Sequence, residues 1–183
     1  MLDIVTASYQ DRSGILDVIQ SVAHERIYFQ TDCYMSTPVW ERALQVGYDE
    51  QSGILLLAVK DQEKIVGYGR LTPNDTDRFD RMIGNIGLAL LPVYRSQGLG
   101  AAVLTRLLSY ALVMRFCTLT AAVLATNLRS LQLFQKYGFT KYQTHTINVP
   151  FERTPVEELI LTKYVRPLAR SNHGSIFYAQ EID

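Results

Sequence analysis

The densest group of residues suited to chemistry lies between Leu88 and Ala102. There an apolar run ends at Pro92, Tyr94-Arg95 and Gly98-x-Gly100 follow, and helical apolar spacing begins. A strand, a glycine-containing turn and a helix N-terminus in succession present consecutive unpaired N–H groups at the positive end of a helix dipole. Gly98 and Gly100 let an anion approach the backbone closely, and a pyrophosphate suits that cradle. A glycine turn that merely joins strand to helix is the other reading of the same spacing. A Rossmann-type dinucleotide turn fits less well: Val103 stands where a third small residue is wanted, and no acidic residue follows about 20 positions on.

Other polar side chains offer less. Cys33 and Cys117 stand far apart, without CxxC spacing or a companion His/Cys cluster, so zinc ribbons and disulfide scaffolds are not expected. They also lack an identifiable base partner, which leaves a covalent enzyme intermediate without support. His24, His145 and His173 share no metal-ligand spacing, and no metal is expected. Tyr28, Tyr34 and Tyr68 could line a ligand pocket, but in a chain with eleven tyrosines most serve packing. Glu25 and Asp32 could recognise an ammonium or relay a proton through water.

The elements that must position these residues follow from periodicity. Asp3 to Ala7 reads as an opening strand, and Ser8 with Asp11 resembles a capping box before the helical spacing Ile15, Val18, Ile19, Val22 and Ala23. Thr37-Pro38 predicts the start of a second helix through Leu44. Ile54 to Lys60 and Ile65 to Leu71, separated by four polar residues, read as a hairpin. The stretch from Thr72 to Arg81 reads as a surface loop, and Ile83 to Leu91 as a strand ended by Pro92. From Gly98 onward Leu104, Leu107, Leu108, Ala111 and Leu112 give an amphipathic helix. Leu119 to Ala125 is a buried strand, Asn127 caps a helix through Leu128, Leu131 and Phe134, and Gly138 suits its C-terminal cap. Phe139 to Val149 and Val156 to Tyr164 complete the strands.

Composition bounds the function. At 183 residues one core is expected, and 48% hydrophobic with 20% charged residues describes a folded globule rather than a disordered chain. Eighteen basic and eighteen acidic residues cancel, leaving no electrostatic footprint for nucleic acid or anionic lipid. The N-terminus lacks a signal-peptide pattern, and Arg106 and Arg115 interrupt the oiliest region, so a cytoplasmic protein without membrane association is expected.

Three motifs in order carry a resemblance: Leu90-x-Pro92-x-Tyr94-Arg95-x-x-Gly98-x-Gly100, then Ala125-Thr126-Asn127-x-x-Ser130, then Phe134-Gln135-Lys136-Tyr137-Gly138-Phe139. Over about residues 1–165 the chain resembles the GCN5-related N-acetyltransferase superfamily. Around Val22-Ala23-His24-Glu25 and before Thr37-Pro38 it is similar to the branch that acetylates amino acids and other small amines. The resemblance implies a single α/β (α+β) domain with a mixed, mostly antiparallel sheet of about seven strands and about four flanking helices. The sheet is splayed between the strands ending near Leu91 and Ala125, and residues 166–183 form a tail that could add a strand.

It further implies acetyl-CoA as co-substrate. The N–H groups of Gln97, Gly98, Leu99, Gly100, Ala101 and Ala102, with Arg95 beside them, would hold the pyrophosphate. The strand edge at Leu88 and Leu90 would pair with the pantetheine arm, and Asn127, Ser130 and Phe134 would contact the cofactor. The N–H of Leu90 would polarise the thioester carbonyl. The implied reaction is direct transfer to a primary amine of a small molecule, amino acid or peptide, by a monomer or homodimer. Phe134 stands where many relatives place a tyrosine that protonates the departing thiolate, and the strand Gly84 to Ala89 lacks the family's acidic residue. A non-catalytic acyl-CoA-binding module and transfer of a longer acyl chain are therefore the rival expectations. A site without a strong base should favour a weakly basic amine such as an α-amino group.

Overall fold

The computed structural model describes residues 2–74, 83–165, 169–170 and 176–177. Its centre is the hairpin of β3 (Ile54–Asp61) and β4 (Lys64–Pro73), joined by Gln62-Glu63 with Gln62 in the left-handed region. Residues Ile54 to Val59 are all buried, so β3 has no solvent face and reads as a continuous apolar run. Leu55, Leu57 and Val59 belong to one core, and Ile54, Leu56 and Ala58 to a second core across the sheet.

The second core is closed by α1 (Arg12–His24) and α2 (Pro38–Val46). Ahead of α1 the Ser8–Asp11 box forms on a single 3-10 turn, Tyr9–Asp11, where the Ser8 N–H donates to the Asp11 carboxylate at 2.9 Å. Burial disfavours that carboxylate's charge. The Lys60 ammonium, 2.6 Å away on β3, and the Ser8 N–H and hydroxyl outweigh burial and hold Asp11 below its usual pKa. Because the folded-state pKa is depressed, the stabilisation is present above the ordinary carboxylate range and is lost as pH falls through the folded value. Thr37 caps α2 by accepting from the Trp40 N–H at 3.2 Å. Gly47 ends it at φ +63°, where a Cβ would lie 1.8 Å from the Ala7 carbonyl oxygen. The sharp turn at Gly47 feeds β2 (Tyr48–Asp49), a two-residue strand on β3 with no periodicity to announce it.

The first core lies under α3 (Leu99–Val113), which buries Val103, Leu104, Leu107 and Ala111. The strands β1 (Leu2–Thr6), β5 (Ile83–Leu90), β6 (Thr118–Leu124), β7 (Thr140–Ile147) and β8 (Val156–Tyr164) complete one sheet in the order β1-β3-β4-β5-β6-β8-β7, with β2 alongside β3. All neighbours are antiparallel except β5 and β6. The helix α4 (Leu128–Lys136) follows β6.

The elements expected from the sequence are present within one or two residues at most ends, and Thr72 and Pro73 extend β4 rather than opening the loop. The rest of that loop, 75–82, and most of the tail lie outside the described residues. Within the tail, Ala169–Arg170 pairs with Ile176–Phe177, in a ladder separate from the main sheet. Among the described residues no helix is long and apolar enough to cross a membrane.

Candidate functional site

The parallel pair β5–β6 is joined only at Ile83, Gly84 and Asn85, facing Thr118, Leu119 and Thr120. Beyond those positions the two strands part. From Ile86 to Leu90, β5 stays paired with β4 alone, and from Ala121 to Leu124, β6 stays paired with β8 alone. The gap opens into a cleft of about 670 Å³. Leu91 N–H donates to Val66 O at 2.9 Å, so the alternation of an antiparallel ladder turns the backbone groups of Leu88 and Leu90 toward the gap.

The turn after β5 meets the cleft at its mouth. Gly98 caps α3 at φ +82°, and a Cβ there would have nothing within 4 Å, which is open space next to the backbone. The first turn of α3 leaves the N–H groups of Leu99, Gly100 and Ala101 without intrahelical partners. Ala102 differs: its N–H closes the helix on Gly98 O at 3.0 Å, so the cradle expected from Gln97 to Ala102 stops at Ala101. Arg95, Gly98, Gly100 and Ala101 line the cleft, whereas Gln97, Leu99 and Ala102 do not. The Gln97 amide turns back onto Val93 O, and Leu99 packs on the core.

Arg95 is engaged within the protein. Its guanidinium makes a two-pronged pair with Glu25 at the end of α1, at 2.7 and 2.5 Å, its Nε donates to Leu90 O at 2.8 Å, and it lies 4.5 Å from the centre of the Tyr28 ring. The bond to Glu25 raises the Arg95 pKa above its ordinary value. Glu25 therefore clasps this turn instead of waiting for an ammonium, and neither it nor Asp32, which pairs loosely with Arg26 at 3.6 Å, lines the cleft. With the Leu90 carbonyl satisfied by Arg95, the Leu90 N–H is the group of that residue left facing the gap.

Asn127 is buried and caps α4 by accepting from the Ser130 N–H at 3.1 Å, with both residues on the cleft wall. Phe134 also lines the cleft, edge-on to Phe139 at 5.0 Å between ring centres. The Tyr137 hydroxyl is held by Thr105 at 3.0 Å and Ala101 O at 3.2 Å, on the α3 side and off the cleft lining. No tyrosine hydroxyl thus occupies the Phe134 position. Phe134→Leu is expected to lower turnover by only about threefold, since a thiol of pKa about 8.5 is a fair leaving group unaided. A steady-state rate on Phe134→Leu and Phe134→Tyr checks this; turnover lost in the first and restored in the second would assign the hydroxyl a role.

At the other end of the cleft, under α2, an aromatic group surrounds a cation. Trp40 meets Tyr34 and Tyr68 edge-on at 6.1 and 5.6 Å, and the Arg70 guanidinium sits 4.9 Å from the Trp40 ring centre. Burial pushes the Tyr68 hydroxyl up to about 12 and the Arg70 guanidinium below its ordinary value. Burial and then the neighbouring Glu41 carboxylate raise Tyr34. Arg70 donates to Asn85 Oδ1 at 2.5 Å, and no carboxylate pairs with it among the described residues.

Across the gap stands Glu158, on β8 opposite Leu124, 5% exposed and accepting from the Gln30 amide. Sequence reasoning passed over it. The signal was the pair Glu157-Glu158 within an apolar run: on a strand with neighbours on both sides, alternation turns the two carboxylates to opposite faces, and one must lie under the cover. β5 itself carries no carboxylate, and Glu158 lies two strands away from it, across the opening.

A strand edge opens beside a helix N-terminus, over a cleft with a carboxylate on its far wall, an arrangement suited to a long phosphorylated group. The model of the acetyltransferase (GNAT) family matches residues 19–139, and the chain belongs to that family. It is an acyl-CoA-dependent N-acetyltransferase. Among solved structures, yncA from Salmonella typhimurium with its cofactor acetyl-CoA is similar at TM-score 0.78 and 18% identity, over 94% of this chain and 98% of that one. Ribosomal-protein-alanine N-acetyltransferase from Brucella melitensis is similar at 0.77 and 19%, over 89% and 99%. A GNAT-family acetyltransferase from Streptococcus pneumoniae is similar at 0.74 and 19%, over 90% and 99%. These likenesses concern the fold. No curated protein matches the chain.

Proposed function

We propose that the chain, through its 1–165 domain, moves an acetyl group from acetyl-CoA to a primary amine of a small molecule, amino acid or peptide by direct attack. The observation that carries this reading is the Leu90 N–H facing the gap, with its carbonyl already satisfied and the buried Glu158 carboxylate on the opposite wall. The free N–H groups of Leu99, Gly100 and Ala101, with space above Gly98, suit a pyrophosphate. The open edge at Leu88 and Leu90 suits the amide-bearing pantetheine arm, and Asn127, Ser130 and Phe134 form the wall beside it. Arg95 serves as a positioning residue: it fixes the turn and the Leu90 peptide while the backbone meets the phosphates.

When bound, acetyl-CoA supplies an activated acyl group on a good leaving thiol. The Leu90 N–H donates to the thioester oxygen as negative charge develops there, an effect of about 3–4 kcal/mol for a well-placed donor. Glu158 takes one proton from the ammonium, the freed amine nitrogen attacks the carbonyl carbon, the carbon–sulfur bond breaks with its electron pair going to sulfur, and the second nitrogen proton passes to the departing thiolate. Neither cysteine has a base beside it: Cys33 is an exposed residue of the cleft lining whose thiol makes no hydrogen bond among the described residues, and Cys117 lies off the cleft. Initial rates with both substrates varied are expected to give intersecting lines, with thiol release matched by an acceptor heavier by an acetyl group. Parallel lines and a trapped acetylated protein would overturn direct attack.

A further inference from the structure

The acceptor end of the cleft contains an unusual charge arrangement. Arg70 projects from β4 on the face of the sheet covered by α1 and α2, the face that also carries Tyr68 and, across the gap, Glu158. A guanidinium has five N–H donors, and here one of them is committed, to Asn85 Oδ1. Accepting that bond fixes the Asn85 amide with its Nδ2 donors directed elsewhere, and no acceptor for them lies among the described residues. Both side chains line the cleft. The guanidinium is half-buried in the cleft wall with no counter-ion among the described residues, and the Trp40 face compensates it in part. Residues elsewhere in the protein solve the same problem with a carboxylate: Arg12 with Glu41, Arg95 with Glu25, and Lys60 with Asp11. Arg70 is left for a partner that arrives from outside.

Register places that partner. Arg70 faces Gly87 on β5, three residues below Leu90, which is about 10 Å along the strand. A Cβ at Gly87 would meet nothing within 4 Å, so the sheet surface between Arg70 and the oxyanion donor is open. Glu158 faces Leu124, at the wide end of the splay. The cleft thus places a proton-accepting carboxylate on its far wall and the Arg70 and Asn85 donors lower down on β4 and β5, all on one face of the sheet.

Resting on the N-acetyltransferase reading above, we propose that the acceptor is a small amino acid whose carboxylate is held by Arg70 and Asn85 while its ammonium is held and deprotonated at Glu158. Recognition of the carboxylate is a charge-assisted, two-pronged contact of the kind a planar guanidinium favours. An acceptor without the carboxylate leaves the guanidinium and its amide neighbour without a counter-ion in the closed complex, and this sets the selectivity.

The test uses matched sets: free amino acids, the same compounds as C-terminal amides, and the decarboxylated amines, each with acetyl-CoA and the full chain. The expected result is kcat/KM at least about 100-fold higher for some free amino acid than for its amide and amine. Arg70→Gln is expected to raise KM for that amino acid by about 100-fold and to shrink the preference below about fivefold, and Arg70→Lys to restore part of it. Equal or better rates with the amides or amines in the unaltered protein would overturn the proposal whatever the variants do, and a preference that survives Arg70→Gln would overturn the assignment to Arg70. If no amine in the set is turned over although acetyl-CoA binds, the same pairs are compared by calorimetry on the CoA complex. Selective binding of free amino acids then supports the carboxylate site while sinking the transferase reading of this panel, and absence of selectivity overturns the site.

Discussion

Replacing Gly98 by aspartate is expected to weaken acetyl-CoA binding by more than about 100-fold, roughly 3 kcal/mol, while leaving a folded protein. The backbone at φ +82° disfavours any side chain by about 1–2 kcal/mol, and Gly98→Ala isolates that cost because an added Cβ would touch nothing within 4 Å. Aspartate adds a negative charge at the three free N–H groups of Leu99, Gly100 and Ala101, and that carboxylate competes with the pyrophosphate for the same donors and repels it. Isothermal calorimetry on the two variants separates the contributions. Affinity within threefold of the unaltered protein in Gly98→Asp would show that the phosphates sit elsewhere.

Glu158→Gln is expected to lower kcat/KM at neutral pH by about 100- to 1,000-fold, with acetyl-CoA affinity retained. Glutamine preserves the shape and can still bond to Gln30. It removes a buried charge, so loss of folding is not expected to confuse the reading. The pH dependence is the sharper measurement. Without a base, only amine that is already neutral reacts, so the variant's rate should climb about tenfold per pH unit up to the amine's own pKa and approach the unaltered protein there. A rate within fivefold at pH 7, or a deficit that persists unchanged to pH 10, would remove the carboxylate from proton transfer.

The difference in legibility between cradle and acceptor pocket has a physical origin. The anion-binding turn is made of consecutive residues, so Arg95-x-x-Gly98-x-Gly100 and the helical spacing after it are visible in the chain. The hairpin and α3 announce themselves by period. The acceptor end is made by register: Arg70 and Asn85 are 15 residues apart and Gln30 and Glu158 are 128 apart, and these pairs meet only when the sheet is assembled. The same reason hid the Arg95–Glu25 clasp, 70 residues apart, and led Glu25 to be read as an acceptor-site carboxylate. Ala102 failed for a smaller reason. Helix geometry fixes which N–H is the first to be paired, but that count depends on where Gly98 places the cap, and one residue decides it.

The half-paired β5 bears on solubility as well as on chemistry. A strand with an open row of amides is ordinarily a template on which a second chain can grow, and proteins defend such rows with charge, proline or a covering element. Here the open row lies inside the sheet, facing the cleft that the diverging β6 leaves, and at Asn85 the two strands are already paired, so no added strand can continue the ladder past that point. The fold thereby keeps a partly unpaired edge without offering it to a second copy of the chain, and leaves it suited to a slender, amide-bearing visitor.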